Sequence, residues 1–169
     1  MADNFTDMNI NYSEAKRLRQ VFEYMKTFQG IKDIDFLVLK AHVLIDHELK
    51  RYLAFRLSLT EKEYERLEKR IINLSFFQLA NISLSGDQHR ELLSLVIKLN
   101  DVRTQIAHRM EPSSYEAKLM DFNRAIWKGR EPEDQGVSTM VSVANLWGQI
   151  VCCYLDSRYG KGTFESVMS

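Results

Sequence analysis

Arg103 and His108 stand five residues apart in Leu99-Asn-Asp-Val-Arg-Thr-Gln-Ile-Ala-His-Arg109, near the end of a long stretch of helical periodicity. Histidine titrates close to neutrality and can give or take a proton. Arginine stays charged and presents a planar fork that matches oxyanions. A helix turns about 100° per residue, which puts Asn100 angularly between these two and Ala107 in the same arc. The predicted result is a polar stripe of Asn100, Arg103, Thr104 and His108 with a small residue at its middle. Val96, Leu99, Val102 and Ile106 are left to face a core. Around this string, Lys98 to Arg130 carries seven basic and four acidic residues, a mild positive bias that suits an anionic ligand.

A second helical stretch, about Asp33 to Leu57, supplies a partner. Its stripe reads Leu39, His42, Asp46, Leu49, Leu53, with Val43 and Tyr52 nearby, and Asp33 and Asp35 suit its N-terminus. His42 and Asp46 thus sit one turn apart in a row that otherwise reads as buried. A buried carboxylate needs a partner, and Arg103 is available to it.

The remaining elements follow from capping and breaking signals. Ser13 opens a helix to about Phe28, with Leu18, Val21, Phe22 and Met25 on one face, before Gly30. Thr60 and Glu63 form a capping box ahead of a charged helix, and Ile71 to Ile82 reads as a short apolar helix. Ser85 with Gln88 is a second box, opening the helix that ends near Arg109 before Pro112. Ser113 with Glu116 is a third, opening a helix to about Trp127. A polar loop from Gly129 to Gly136 precedes a final helix, about Ser138 to Tyr159, with Met140, Val143, Trp147, Ile150 and Tyr154 on one face. No strand alternation or repeat is present. The expected fold is an all-α, up-and-down bundle of five to six helices forming one domain, with 1–12 as a polar lead-in and 160–169 as a polar tail.

Composition narrows the class further. The 169 residues are 45% hydrophobic and 27% charged, and 23 basic residues balance 23 acidic ones. Any nucleic-acid contact must therefore come from a local patch. The only cysteines, Cys152 and Cys153, are adjacent, which suits a reducing, cytoplasmic setting. The acidic start lacks a secretion signal, and no apolar run approaches the roughly 20 residues of a membrane span, so no membrane association is expected.

The Leu99-Asn100-x-Val102-Arg103 and Ala107-His108 matches resemble the HEPN superfamily, all-α domains marked by an arginine, four to six residues and a histidine. Lys40-Ala-His-Val-Leu-Ile-Asp-His-Glu-Leu49 resembles that family's apolar helix with an embedded acidic residue, and the likeness covers roughly residues 33 to 125. Thr104 departs from the pattern, where Asn, Asp or His is usual. Met110 stands where one toxin–antitoxin branch has tyrosine. The resemblance implies a metal-independent endoribonuclease, with no cofactor, cutting RNA at a cleft shared by a homodimer. A toxin or defence role, with an antitoxin or regulatory protein as a further partner, is implied by the family alone. His108 would handle protons and Arg103 stabilise the phosphate. Asn100, Thr104 and Arg109 would support the substrate, and Asp46 would hold Arg103.

The alternative is a non-catalytic HEPN-like regulator that binds RNA, a nucleotide or a protein. A purely structural oligomerisation module is a third reading, and it leaves the polar stripe unexplained. Plainer readings of single residues stand beside these. His108 can cap a helix C-terminus, Arg103 with Asp46 can be a structural ion pair, and His42 can be a satisfied core or interface histidine. His47 and His89 are expected to face solvent. His42 and Asp46 have helix metal-ligand spacing, but no His-Glu-x-x-His pair accompanies them.

Overall fold

In the computed structural model the described residues are 12–31, 33–60, 74–108, 112–128 and 134–160, with 62, 63 and 66. They form six α-helices and no strand: α1 (Tyr12–Lys26), α2 (Ile34–Arg56), α3 (Phe76–Ser83), α4 (Arg90–Ala107), α5 (Pro112–Trp127) and α6 (Gln135–Tyr159). Short 3-10 turns follow α1 (Thr27–Gly30) and precede α4 (Asp87–His89). The protein is an all-α helical bundle.

Local chemistry sets the helix starts. The Asp33 carboxylate accepts the Phe36 N–H at 3.1 Å to open α2, and Asp134 accepts the Val137 N–H at 2.9 Å to open α6. Ser75 and Gln78 close a reciprocal capping box at α3. Gly160 ends α6 at φ 103, a backbone conformation that glycine adopts without a Cβ clash.

The core is one contiguous cluster. α2, α4, α5 and α6 pack around it, α3 leans on α2 and α4, and α1 lies against α2. Ile45 and Leu49 of α2, Val96, Leu99 and Val102 of α4, Phe122 of α5 and Ile150 of α6 are completely buried. Contacts fix the directions. His42 meets Asn100 while Tyr52 meets His89, so α2 and α4 run antiparallel. Lys98 pairs with Asp121 and Lys118 with Asp101, so α4 and α5 do too.

Charge fastens α1 to α2. Arg17 donates to Glu48 at 2.7 Å and to Glu14 at 2.7 and 3.0 Å, and Arg51 donates to the other Glu14 oxygen at 2.7 Å. Both carboxylates are buried, so each needs these donors.

Several expectations change. The buried row of α2 runs through Leu37, Val38, Ala41, Leu44, Ile45, Glu48, Leu49, Tyr52 and Leu53, whereas Leu39 and Val43 are exposed. Rotating the helix this way carries His42 and Asp46 from the middle of the buried face to its rim. His47 is exposed as expected. His89 is not: it is buried, its Nε2 sharing a 2.9 Å hydrogen bond with the Tyr52 hydroxyl across the α2–α4 contact. The Ser85–Gln88 box does not form, since Ser85 Oγ instead accepts from Arg56 at 2.8 Å and Gly86 takes φ 127 before the 3-10 turn. α5 starts at Pro112 rather than after Ser113, as suits a residue without an N–H. The Thr60–Glu63 box does form, while most of the charged helix expected after it lies outside the described residues.

One helix also amends the reading of membrane spans. α6 is long and apolar enough to cross a membrane by length and composition alone, with a mean hydropathy of 1.3 over its 18-residue window. In the bundle it is a core helix packed on α2, α4 and α5, with ten buried residues.

Candidate functional site

The polar stripe of α4 and the rim of α2 meet at the lower half of their antiparallel contact. Arg103 follows Val96 by two turns, so it continues a row whose earlier member is fully buried. The row leaves the core between them, and Arg103 emerges half-buried. It makes no ion pair or side-chain hydrogen bond with any described residue.

The expected Asp46–Arg103 pair does not form. Asp46 binds Lys50, one turn on along α2, at 2.6 Å. An i,i+4 carboxylate and lysine need no second helix to be brought together, so the local partner has the advantage of proximity. Both groups still act on His42: Asp46 favours its protonated form and Arg103 opposes it.

His42 reads from the sequence first as a satisfied core or interface histidine, with metal-ligand spacing to Asp46 as a lesser reading. Its ring stacks on Phe76 with centroids 4.0 Å apart, and its Nε2–H donates to Asn100 Oδ1 at 3.3 Å. Burial pushes its pKa below the ordinary 6.5; the Asn100 bond and Asp46 raise it, and Arg103 lowers it further. With its oxygen engaged by His42, the Asn100 amide still has two N–H donors, one turn before Arg103 on the same helix. Thr104 turns inward instead, its hydroxyl donating to the Asn100 carbonyl at 2.8 Å.

His108 is exposed and is the residue at which α4 ends, with its own N–H on the Thr104 carbonyl at 3.1 Å. Five residues of helix separate it from Arg103 by about 7.5 Å along the axis. Arg109 lies outside the described residues. The structure thus gathers His42, Asn100, Arg103 and the Asp46–Lys50 pair in one neighbourhood, with His108 at the adjoining helix end.

Among the described residues no group of three or more His, Cys, Asp or Glu gathers as a metal-ligand set. Cys152 and Cys153 are half-buried and not joined by a disulfide. A cleft of about 720 Å³ lies elsewhere, between α1, the start of α4 and α6, and includes none of the stripe residues.

No protein-family model, no curated protein and no solved structure matches the chain.

Proposed function

We propose that this chain is a homodimeric, metal-independent endoribonuclease of the HEPN type, cytoplasmic and of toxin or defence character. One observation carries the reading: Arg103 is half-buried with no internal acceptor among the described residues, beside an exposed His108. A guanidinium partly withdrawn from water without a carboxylate is suited to an anion from outside, such as a phosphodiester. Transfer of an RNA 2′-hydroxyl onto its own phosphate needs a base, an acid for the leaving 5′-oxygen and positive charge on the phosphate. A two-fold dimer brings two copies of His108 for the proton transfers and two of Arg103 for the charge. The Asn100 N–H donors orient the phosphate oxygens, and His42 holds Asn100.

The competing reading, a non-catalytic HEPN-like regulator, draws on the engagement of Asn100 and Thr104 in bonds within the chain. A mixed RNA substrate in excess EDTA separates the two. The nuclease reading expects cleavage that survives EDTA and falls at least about a hundredfold in both His108→Ala and Arg103→Ala. A folded wild type that does not cut, yet retains RNA or nucleotide through the same residues, establishes the regulator instead.

A further inference from the structure

A buried polar patch lies where α5 meets the first turns of α6, outside the stripe around Arg103. Asn123, Ser138, Thr139 and Ser142 are 3%, 2%, 0% and 0% exposed, although all four side chains are polar. Asn123 of α5 gives its Nδ2–H to Thr139 Oγ1 at 3.0 Å, and Trp127 gives its indole N–H to the Ser138 carbonyl at 3.3 Å. Ser142 stands three residues after Thr139 and four after Ser138, so the three α6 side chains are neighbours on one helix face.

Three oxygens of this patch have no hydrogen-bond partner among the described residues: Asn123 Oδ1, Ser138 Oγ and Ser142 Oγ. Thr139 shows the ordinary solution for a buried hydroxyl on a helix, donating to the Gln135 carbonyl one turn back at 2.7 Å. Ser138 and Ser142 make no such bond, so each hydroxyl keeps its donor and its acceptor capacity. A buried polar group left unsatisfied costs more than a typical hydrogen bond contributes, and here three stand in one patch.

The surroundings select what satisfies them. All four side chains are uncharged, so an ion among them would be buried without a countercharge. None of the four borders the 720 Å³ cleft, and their near-complete burial leaves no entrance for an organic ligand. The amide oxygen needs a donor, while each hydroxyl can take either partner, and one small molecule offers both. We propose that the patch is an internal water site, in which bound water donates to Asn123 Oδ1 and bonds the Ser138 and Ser142 hydroxyls. It adds a second polar link between α5 and α6 beside the Asn123–Thr139 bond.

Water itself is the probe. Deuteron relaxation dispersion on heavy-water solutions of the full chain reads the water held longer than the protein takes to tumble. The measurement is repeated on Ser142→Ala and Ser138→Ala, and circular dichroism melts are run on all three proteins. The expected result is long-lived water in the wild type, a smaller dispersion in Ser142→Ala, and a Tm about 2–4 °C lower in that variant. Ser138→Ala shifts both readings in the same direction. The sign of the melt discriminates, because alanine relieves a buried hydroxyl that has no partner but breaks a link where water is bonded to it. Dispersion unchanged in folded Ser142→Ala, or a Tm that rises in that variant, overturns the proposal. A wild-type Tm higher in sodium chloride than in choline chloride at equal ionic strength, with the difference lost in Ser142→Ala, identifies a cation instead and overturns it too.

Discussion

His42 and His89 are both held below the ordinary imidazole value by burial, and that has a direct consequence for pH. Below about pH 6.5 the unfolded chain takes up protons at these rings while the folded chain still excludes them. Stability present above that value is therefore lost as pH falls through the lowered folded values. Thermal melts should show a lower Tm at pH 5 than at pH 7.5, and His89→Gln should flatten that slope. Asp46 makes a second prediction. Because Lys50 holds it, Asp46→Asn should change RNA cleavage by less than about tenfold, against at least about a hundredfold for Arg103→Ala. A loss in Asp46→Asn as large as that in Arg103→Ala, read in the same assay, would return the carboxylate to the role of holding the arginine.

Among the elements, α1 depends most on charge. Arg17→Met leaves the buried Glu14 and Glu48 short of donors and should cost about 3–5 kcal/mol in urea unfolding. Ser75→Ala, which removes a cap at an exposed helix start, should cost only about 1 kcal/mol. The contrast explains what was legible beforehand. Helix positions were readable because periodicity and caps act over a few residues, and α2 starts within a residue of its expected place. The buried face of α4 was readable for the same reason, as Val96, Leu99 and Val102 repeat at helical spacing. The rotation of α2 was not, because Glu48 is buried only through Arg17, which lies 31 residues away. His89 was misjudged for a similar reason, since Tyr52 lies 37 residues away in sequence. The stripe residues were identifiable by type and spacing, but partner choice was not. Asp46 had both a distant arginine and a local lysine within its chemistry, and the sequence alone ranked the wrong one first.

For the molecule as a whole, a net charge of zero constrains how RNA is held. With no global positive field, binding rests on few phosphate contacts, so log affinity against log salt should have a shallow slope of about −1 to −3. A much steeper slope in filter-binding titrations would require a basic surface larger than the stripe around Arg103. The shared site predicts a further signature: specific cleavage per chain should fall on dilution as dimers dissociate. Cleavage per chain that stays constant through dissociation, measured alongside sedimentation, would assign the complete site to one protomer.

α6 is both long and apolar, and it closes the core against α2, about 100 residues earlier in the chain. During synthesis, Leu37, Ile45 and Leu49 leave the ribosome long before Val143, Leu146 and Ile150 arrive to cover them. Until then the emerging chain presents a greasy half-bundle, the kind of surface that holdase chaperones grip. A chain stopped after α5 should be retained by such chaperones or aggregate, whereas the full chain is released. The schedule of translation thus makes the appearance of α6 the step that ends the protein's dependence on help.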